Sequence, residues 1–190
     1  MQKSGIRDDE ARLVDDCLQG KVRAQEALYQ RFASGMYAIC CRYSRDEDAA
    51  ADVLQDGFIR VFQALSTFRK DGSLEGWVRR IIVNTALEHY RKNRSNPTLN
   101  DTSEAELMGG DPEISGDMGA DDLLKLVQSL PDGYRNVFNL YAIEGYTHKE
   151  IADMLQINEG TSKSQLARAR QLLQHKLEAL MKIKEYATGE

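Results

Sequence analysis

Apolar residues recur every three to four positions along most of the chain, which is the spacing of one face of an α-helix. The clearest runs predict helices over residues 24–43, 46–65 and 74–92, and a weaker run lies within residues 1–20. Helical spacing resumes at residues 123–130 and continues past Pro131, in the first turn of a further helix, to Gly145. Glycine is favoured just after a helix end, so that helix should stop there. The pattern predicts an all-α protein.

Residues 147–173 predict two short helices joined by a tight turn. Thr147 and Glu150 stand three apart ahead of an apolar run, which is the spacing of a capping box. Asn158 is a favourable N-cap for the second helix. Two short helices that share an apolar core form a helix-turn-helix, whose second helix enters the major groove of DNA.

The outward face of this second helix is polar throughout, and three of its residues are cationic. An ordinary solvated helical hairpin would carry a similar face, so this alternative stays open. The side chains that point outward are Thr161, Lys163, Ser164, Gln165, Arg168 and Arg170.

The helix predicted over residues 46–65 has an unusual outer face, because Ile59 stands there among carboxylates and glutamines. Single apolar residues are common on protein surfaces, which is one interpretation. The other is a docking surface with an apolar anchor and an acidic rim. Polar neighbours on this face include Asp48, Asp52, Gln55, Asp56 and Gln63.

The helix predicted over residues 74–92 combines an apolar inner stripe with a basic and amide-bearing outer face. Arg80 and Asn84 lie on the outer face, and Phe68 belongs to the loop before the helix. Arginine, asparagine and an aromatic ring are suited to reading bases in a groove or to catching a base that has unstacked.

Charge is distributed very unevenly along the 190 residues, although the net charge is only −5. Residues 95–122 carry eight acidic side chains and no basic one, whereas both flanks are slightly basic. This segment also holds two prolines and four glycines, which predicts an extended, self-repelling linker. We therefore expect two small helical domains, residues 1–94 and 122–190, joined by a flexible acidic linker over residues 95–121.

Membrane insertion and export are not expected. The chain has no run of eighteen apolar residues and no signal-peptide core at its N-terminus. Cys17, Cys40 and Cys41 show no metal-ligand spacing, and adjacent cysteines bridge poorly. Three free thiols that fill the core are therefore expected, which is typical of a reducing cytoplasm.

Motifs for catalysis or cofactor binding would indicate an enzyme. The sequence contains no phosphate-binding glycine loop, no nucleophile elbow and no dinucleotide fingerprint. Its three histidines are isolated from other metal ligands, so we expect no metal, no cofactor and no enzymatic activity. His148 and His89 are expected to be structural; the third histidine is His175.

Three segments together resemble a known family. DVLQDGFIRVF (52–62), FRKDGSLEGWVRRIIVNTALEHYRK (68–92) and LPDGYRNVFNLYAIEGYTHKEIADMLQINEGTSKSQLARAR (130–170) are similar to the extracytoplasmic-function (ECF) sigma factors of bacterial RNA polymerase. The resemblance covers nearly all of the chain except the linker and the termini. It implies a subunit with sigma regions 2 and 4 that binds core polymerase and directs promoter-specific initiation.

For the first domain, the resemblance implies two binding surfaces. One would dock on the clamp coiled coil of the largest polymerase subunit, through Asp52, Gln55, Asp56 and Ile59. The other would recognise and open the minus-ten promoter element, with Asn84 and Phe68 holding an unstacked base of the non-template strand. Its residues are Phe68, Trp77, Arg80 and Asn84.

For the second domain, the resemblance implies recognition of the minus-thirty-five element by the helix that carries Lys163, Ser164, Gln165, Ala167 and Arg168. Thr161 and Arg170 are better placed for phosphates. Two residues depart from the family pattern, which often has valine at position 162 and arginine at position 165. Ser162 would either loosen the packing of the recognition helix or add a backbone contact, and Gln165 changes one potential DNA contact.

The partners implied are core RNA polymerase (through its clamp coiled coil and flap), duplex promoter DNA with its melted non-template strand, and an inhibitory anti-sigma protein. That inhibitor could hold the otherwise cytoplasmic chain at the inner membrane. The acidic linker would mimic nucleic acid in the polymerase channel. The alternative is a free-standing helix-turn-helix regulator, which would bind paired DNA half-sites as a dimer without polymerase.

Overall fold

The computed structural model describes residues 3–70, 72–94 and 119–187, and every regular element in these ranges is helical. This confirms the all-α fold class. The chain forms two compact units, Met1–Glu88 and His89–Glu190. Residues 95–118 of the predicted linker lie outside the described ranges. The helices are α1 (Lys3–Leu18), α2 (Val22–Tyr43), α3 (Glu47–Ala64), α4 (Leu74–Arg94), α5 (Ala120–Gln128), α6 (Asp132–Phe138), α7 (His148–Leu155) and α8 (Glu159–Ala187).

The first unit buries the apolar faces of α1 to α4 in one core. The helices predicted from periodicity are present, with α2 beginning and α4 ending two residues outside the expected bounds. Asp46 caps α3, since its side chain accepts a 2.8 Å hydrogen bond from the N–H of Ala49. Fully or almost fully buried core residues of this unit are Val14, Leu28, Met36, Ile39, Val53, Phe58, Val61, Leu65, Leu74, Val78, Ile82, Val83 and Leu87.

Helices α3 and α4 approach closely at Gly57. A Cβ atom at this position would overlap the end of the Ile82 side chain, so the contact requires glycine or a shift of Ile82. Arg60 and Glu88 join the same two helices through an ion pair of 2.7 Å. The outer faces of α3 and α4 are therefore held on one pair of closely packed helices.

The connection between α3 and α4 starts with a 3₁₀ turn, Leu65–Thr67. Lys70 adopts a left-handed backbone conformation (φ 59°), and its Nζ atom lies 2.6 Å from Asp15 of α1. The rings of Phe68 and Trp77 are in contact, with centroids 5.5 Å apart. The loop is thus attached to α1 at one point and to the start of α4 at another.

The second unit contains α5 to α8, and its structure departs from expectation in two places. Pro131 is the N-cap of α6 and does not lie in its first turn. After α6 the helix continues as π-helical turns over Asn139–Ile143, where Tyr141 and Ile143 are 36% and 40% exposed. Gly145 then ends the helix with a φ of 79°, as predicted. Core residues of this unit are Leu126, Leu130, Val137, Leu140, Ile151, Leu155, Leu166 and Ala169.

Arg135 is buried at the junction of α5 and α6, with only 3% of its surface exposed. Its Nη1 atom donates to the carbonyl oxygens of Gln128 (3.0 Å) and Leu130 (3.3 Å), and Nη2 lies 2.6 Å from Asp132 Oδ1. The guanidinium therefore hydrogen-bonds the carbonyl of Gln128, the last residue of α5, and the carbonyl of Leu130 in the connection to α6.

The three cysteines are buried and free, which confirms their predicted role in the core. Burial raises the pKa of the Cys40 thiol to about 12, so this thiol stays protonated at neutral pH. Among the described residues, no helix is long and apolar enough to cross a lipid bilayer.

Candidate nucleic-acid interface

The helix-turn-helix has the local signals that the sequence predicts. The N–H of Thr147 donates to Glu150 Oε2 at 2.8 Å, and the N–H of Glu150 donates back to Thr147 Oγ1 at 3.3 Å. The hydroxyl and N–H of Thr147 together lower the pKa of Glu150. Asn158 caps α8 by accepting from the N–H of Thr161 at 2.7 Å. Gln156, in the left-handed conformation, ends α7 and makes the turn.

The six polar residues predicted to meet DNA all lie in the first half of α8, but they are not equally available. Lys163, Ser164, Arg168 and Arg170 are exposed, whereas Thr161 and Gln165 are half-buried. Lys163 pairs with Glu159 at 2.6 Å. The hydroxyl of Ser164 donates to the carbonyl of Thr161 at 3.0 Å. In the free protein, Lys163 and Ser164 are thus already paired with other groups of α8.

Two of these residues contact α6 on one flank of α8. Arg168 Nη1 donates to the hydroxyl of Tyr134 at 3.1 Å. Gln165 lies against Gly133, where an added Cβ atom would be 3.1 Å from Gln165 Nε2. Tyr134 was not singled out from the sequence, because nothing in its local pattern marks a tyrosine that will meet a residue 34 positions later.

Arg170 lies on the opposite flank, with its guanidinium carbon 5.7 Å from the centroid of the Tyr141 ring. Tyr141 also stacks on His148 at 4.6 Å, with an angle of 22° between the rings. Ser162 is fully buried beneath them, and its Oγ lies 3.0 Å from His148 Nδ1. The hydroxyl that replaces the family's usual valine therefore has a partner inside the unit.

The outer face of α3 presents the predicted docking residues side by side. Asp52, Gln55 and Ile59 are exposed, the last by 48%, and Asp56 is half-buried. Ile59 lies at the edge of an open apolar groove of about 470 Å³, which also includes Tyr29 of α2. The isoleucine is therefore part of a continuous apolar surface. This groove, called the α2–α3 groove below, is lined by Tyr29, Ala51, Leu54, Gln55, Phe58, Ile59 and Phe62.

The four residues predicted to act on the minus-ten element form one continuous strip. Arg80 and Asn84 are exposed and stand four apart on α4, so they share a face of the helix. Trp77 lies one turn before Arg80 and carries the half-buried Phe68 ring on its side. The strip therefore combines stacking surface, an amide and a cation.

Two protein-family models match separate stretches of the chain. The family model for Sigma-70 region 2 matches residues 28–96, and the model for Sigma-70 region 4 matches residues 120–173. The RNA polymerase sigma-H factor of Pseudomonas aeruginosa is 29% identical over 189 residues, which span 93% of this chain and 97% of that protein. The ECF RNA polymerase sigma-E factor of Escherichia coli is 30% identical over 182 residues, or 90% and 95%.

A solved structure shares the fold. It is the sigma factor RpoE in complex with the anti-sigma factor NepR, from Bartonella quintana. The match has a TM-score of 0.52 at 23% identity, and covers 83% of this chain and 98% of that chain.

Proposed function

Because the chain belongs to the extracytoplasmic-function family of RNA polymerase sigma factors, we propose that its two units divide the work of initiation as regions 2 and 4. It binds core polymerase and directs promoter-specific initiation. The first domain, residues 1–94, would bind polymerase and open the minus-ten element. The second domain, residues 122–190, would bind the minus-thirty-five element, and residues 95–121 would link the two domains. The α2–α3 groove carries this proposal, because it provides an apolar docking surface in addition to the helix-turn-helix.

The groove and its rim would receive the clamp coiled coil. Ile59 offers an exposed apolar anchor, and the aromatic rings of Tyr29 and Phe58, 4.7 Å apart, form the floor beneath it. Asp52 and Asp56 supply negative charge at the rim, which suits a basic partner surface. Apolar burial at the centre would provide affinity, and the charged rim would provide orientation.

The strip on α4 would hold the non-template strand of the minus-ten element. Phe68 and Trp77 present aromatic faces on which an unstacked base can stack. Asn84 offers both a donor and an acceptor to a base edge, and Arg80, one turn away, would contact the backbone. Such contacts favour the opened strand over the duplex.

The exposed half of α8 would enter the major groove at the minus-thirty-five element. Arg168 would read a base, Lys163 and Ser164 would contact neighbouring edges, and Thr161 and Arg170 would meet phosphates. The hydrogen bond from Arg168 to Tyr134 orients the guanidinium before DNA arrives.

The chain would act in the bacterial cytoplasm as a binding subunit without a catalytic site of its own. The Bartonella quintana relative was solved with an anti-sigma factor. We extend this to the present chain and expect an inhibitor that covers the α2–α3 groove or the DNA-binding faces, and that would hold the protein at the membrane if it is itself anchored there.

Band-shift and run-off transcription assays with and without core enzyme test the function. The expected result is weak binding to DNA by the chain alone, tight binding with core, and transcription from the region upstream of its own gene. The rival, a free-standing regulator, would give tight binding without polymerase and a dimer on paired half-sites. Core enzyme that initiates no better with the chain than without it would overturn the proposal.

Arg168→Ala is expected to cost about 1–3 kcal/mol of promoter binding by the holoenzyme and to relax base preference at one position of the minus-thirty-five element. Arg168→Lys keeps the charge but loses the planar fork, so it should restore affinity without restoring preference. Binding to a panel of single-base variants measures both quantities. An unchanged preference in Arg168→Ala would refute the base contact.

Asn84→Ala is expected to leave closed-complex affinity unchanged and to reduce strand opening about tenfold, since only the opened strand offers its base edges to the amide. Permanganate reactivity of unpaired thymines measures opening. Asn93→Ala is the matched control, because Asn93 is exposed on the same helix but points to its opposite side. Footprints of wild-type intensity in Asn84→Ala would contradict the assignment.

A further inference from the structure

His148 is held on two sides at the start of α7. Its Nδ1 atom lies 3.0 Å from Oγ of the fully buried Ser162, and its ring stacks on Tyr141 at 4.6 Å. The ring is therefore pre-organised, with its other nitrogen turned away from Ser162.

That other nitrogen, Nε2, has no hydrogen-bond partner in the part of the chain that the structure describes, and it is not among the buried unpaired atoms. When the Ser162 hydroxyl donates to Nδ1, the neutral ring carries its proton on Nε2, and this is the arrangement the proposal uses. A valine at position 162 offers no such support. Ser162 thus allows His148 to present an N–H donor to solvent.

The position of the ring indicates what this donor meets. In a helix-turn-helix the first helix crosses the DNA backbone while the start of the second helix reaches the bases. His148 begins the first helix and touches Ser162 in the first turn of the second. The ring therefore lies between the backbone-crossing helix and the groove-entering helix, where phosphates line the groove edge.

We propose that His148 contacts the DNA backbone through Nε2–H, which donates to a phosphate beside the groove that α8 enters, with Ser162 and Tyr141 as positioning residues. This inference rests on the proposed DNA-binding role of the second unit. It adds a contact from α7 to those assigned to α8.

The surrounding charges are compatible with a phosphate. Lys163 lowers the pKa of Glu159 through a 2.6 Å hydrogen-bonded ion pair, and His148 and Lys149 make smaller contributions in the same direction. Lys149 is exposed beside the ring, and Arg170 lies over Tyr141. The two carboxylates closest in sequence and contact, Glu150 and Glu159, are engaged by Thr147 and Lys163, while Lys149 and Arg170 supply positive charge.

An experiment that combines protein variants with single uncharged phosphates in the DNA tests the contact. Holoenzyme made from core polymerase and the full chain is titrated with promoter duplexes, each with one uncharged methylphosphonate in or beside the minus-thirty-five element. His148→Phe keeps a ring for Tyr141 but has no N–H, so it should bind about three- to tenfold more weakly. It should also become insensitive to the methylphosphonate at one position, with base preference unchanged.

Three variants make the result specific. His148→Gln places an amide N–H near the position of Nε2 and should restore sensitivity at that phosphate, and Ser162→Val should reduce it. His175→Phe is the matched control, because this exposed histidine lies on α8 about 20 Å along the helix from Ser162. Thermal unfolding checks each variant, and the His148→Gln result decides the matter if His148→Phe is unfolded.

Two negative outcomes would lead to different conclusions. If wild-type holoenzyme binds the promoter but His148→Phe leaves the effect of every methylphosphonate unchanged, the contact is wrong while the proposed function stands. If wild-type chain does not increase promoter binding by core enzyme, both are overturned.

Discussion

Ile59→Asp should weaken the association of the chain with core RNA polymerase by roughly a hundredfold, or about 3 kcal/mol. The substitution removes the apolar anchor at the edge of the α2–α3 groove and places a carboxylate where the partner would exclude water. Because Ile59 is 48% exposed in the free protein, the fold itself should tolerate the change. Titration of labelled chain with core enzyme measures the dissociation constant.

Val22→Asp is the matched control for this experiment. Val22 is a branched aliphatic residue, 66% exposed, at the start of α2 and outside the groove. An aspartate there also meets the positive end of the helix dipole, which favours it. Equal dissociation constants for the two variants would show that the α2–α3 groove is not the docking surface.

Arg135→Ala should lower the free energy of unfolding of the second unit by about 3 kcal/mol. The change leaves the carbonyls of Gln128 and Leu130 without their donor and Asp132 without its cation. Since α5 and α6 meet at this guanidinium, the loss should also reduce binding to the minus-thirty-five element. Chemical denaturation followed by circular dichroism measures the stability.

Lys125→Ala serves as the comparison, because Lys125 is an exposed basic residue in the last turn of α5. Surface substitutions of this kind usually change stability by less than about 0.5 kcal/mol. Coincident denaturation curves for the two variants would mean that the buried guanidinium does not hold α5 on α6.

Local signals made the helices and the helix-turn-helix predictable. Thr147 with Glu150 forms a capping box within four residues, Asn158 caps the residue three positions later, and Gly145 ends a helix through its own backbone. Each of these features depends on neighbours in sequence, so a reading of the chain alone finds them. The resemblance to sigma factors then supplied the order of the units.

Features that depend on distant neighbours were not predictable in the same way. The sequence left Ile59 with two interpretations, because the groove beside it is completed by Tyr29, a residue of another helix. The buried role of Arg135 was not predictable from the sequence, because its partners include backbone carbonyls that any residue could offer. Ser162 stood out only as a departure from the family pattern, and its partner His148 became evident from packing.

On the proposed assignments, the close contact at Gly57 links polymerase docking to strand opening. Polymerase would bind α3 and the opened DNA strand would lie on α4. The absence of a side chain at Gly57 therefore sets the distance between these two surfaces. A bulkier residue would require either that the Ile82 side chain moves or that α3 and α4 separate, and separation would displace the strand-opening strip from the docking face. In that case strand opening would change even where affinity for core polymerase is preserved.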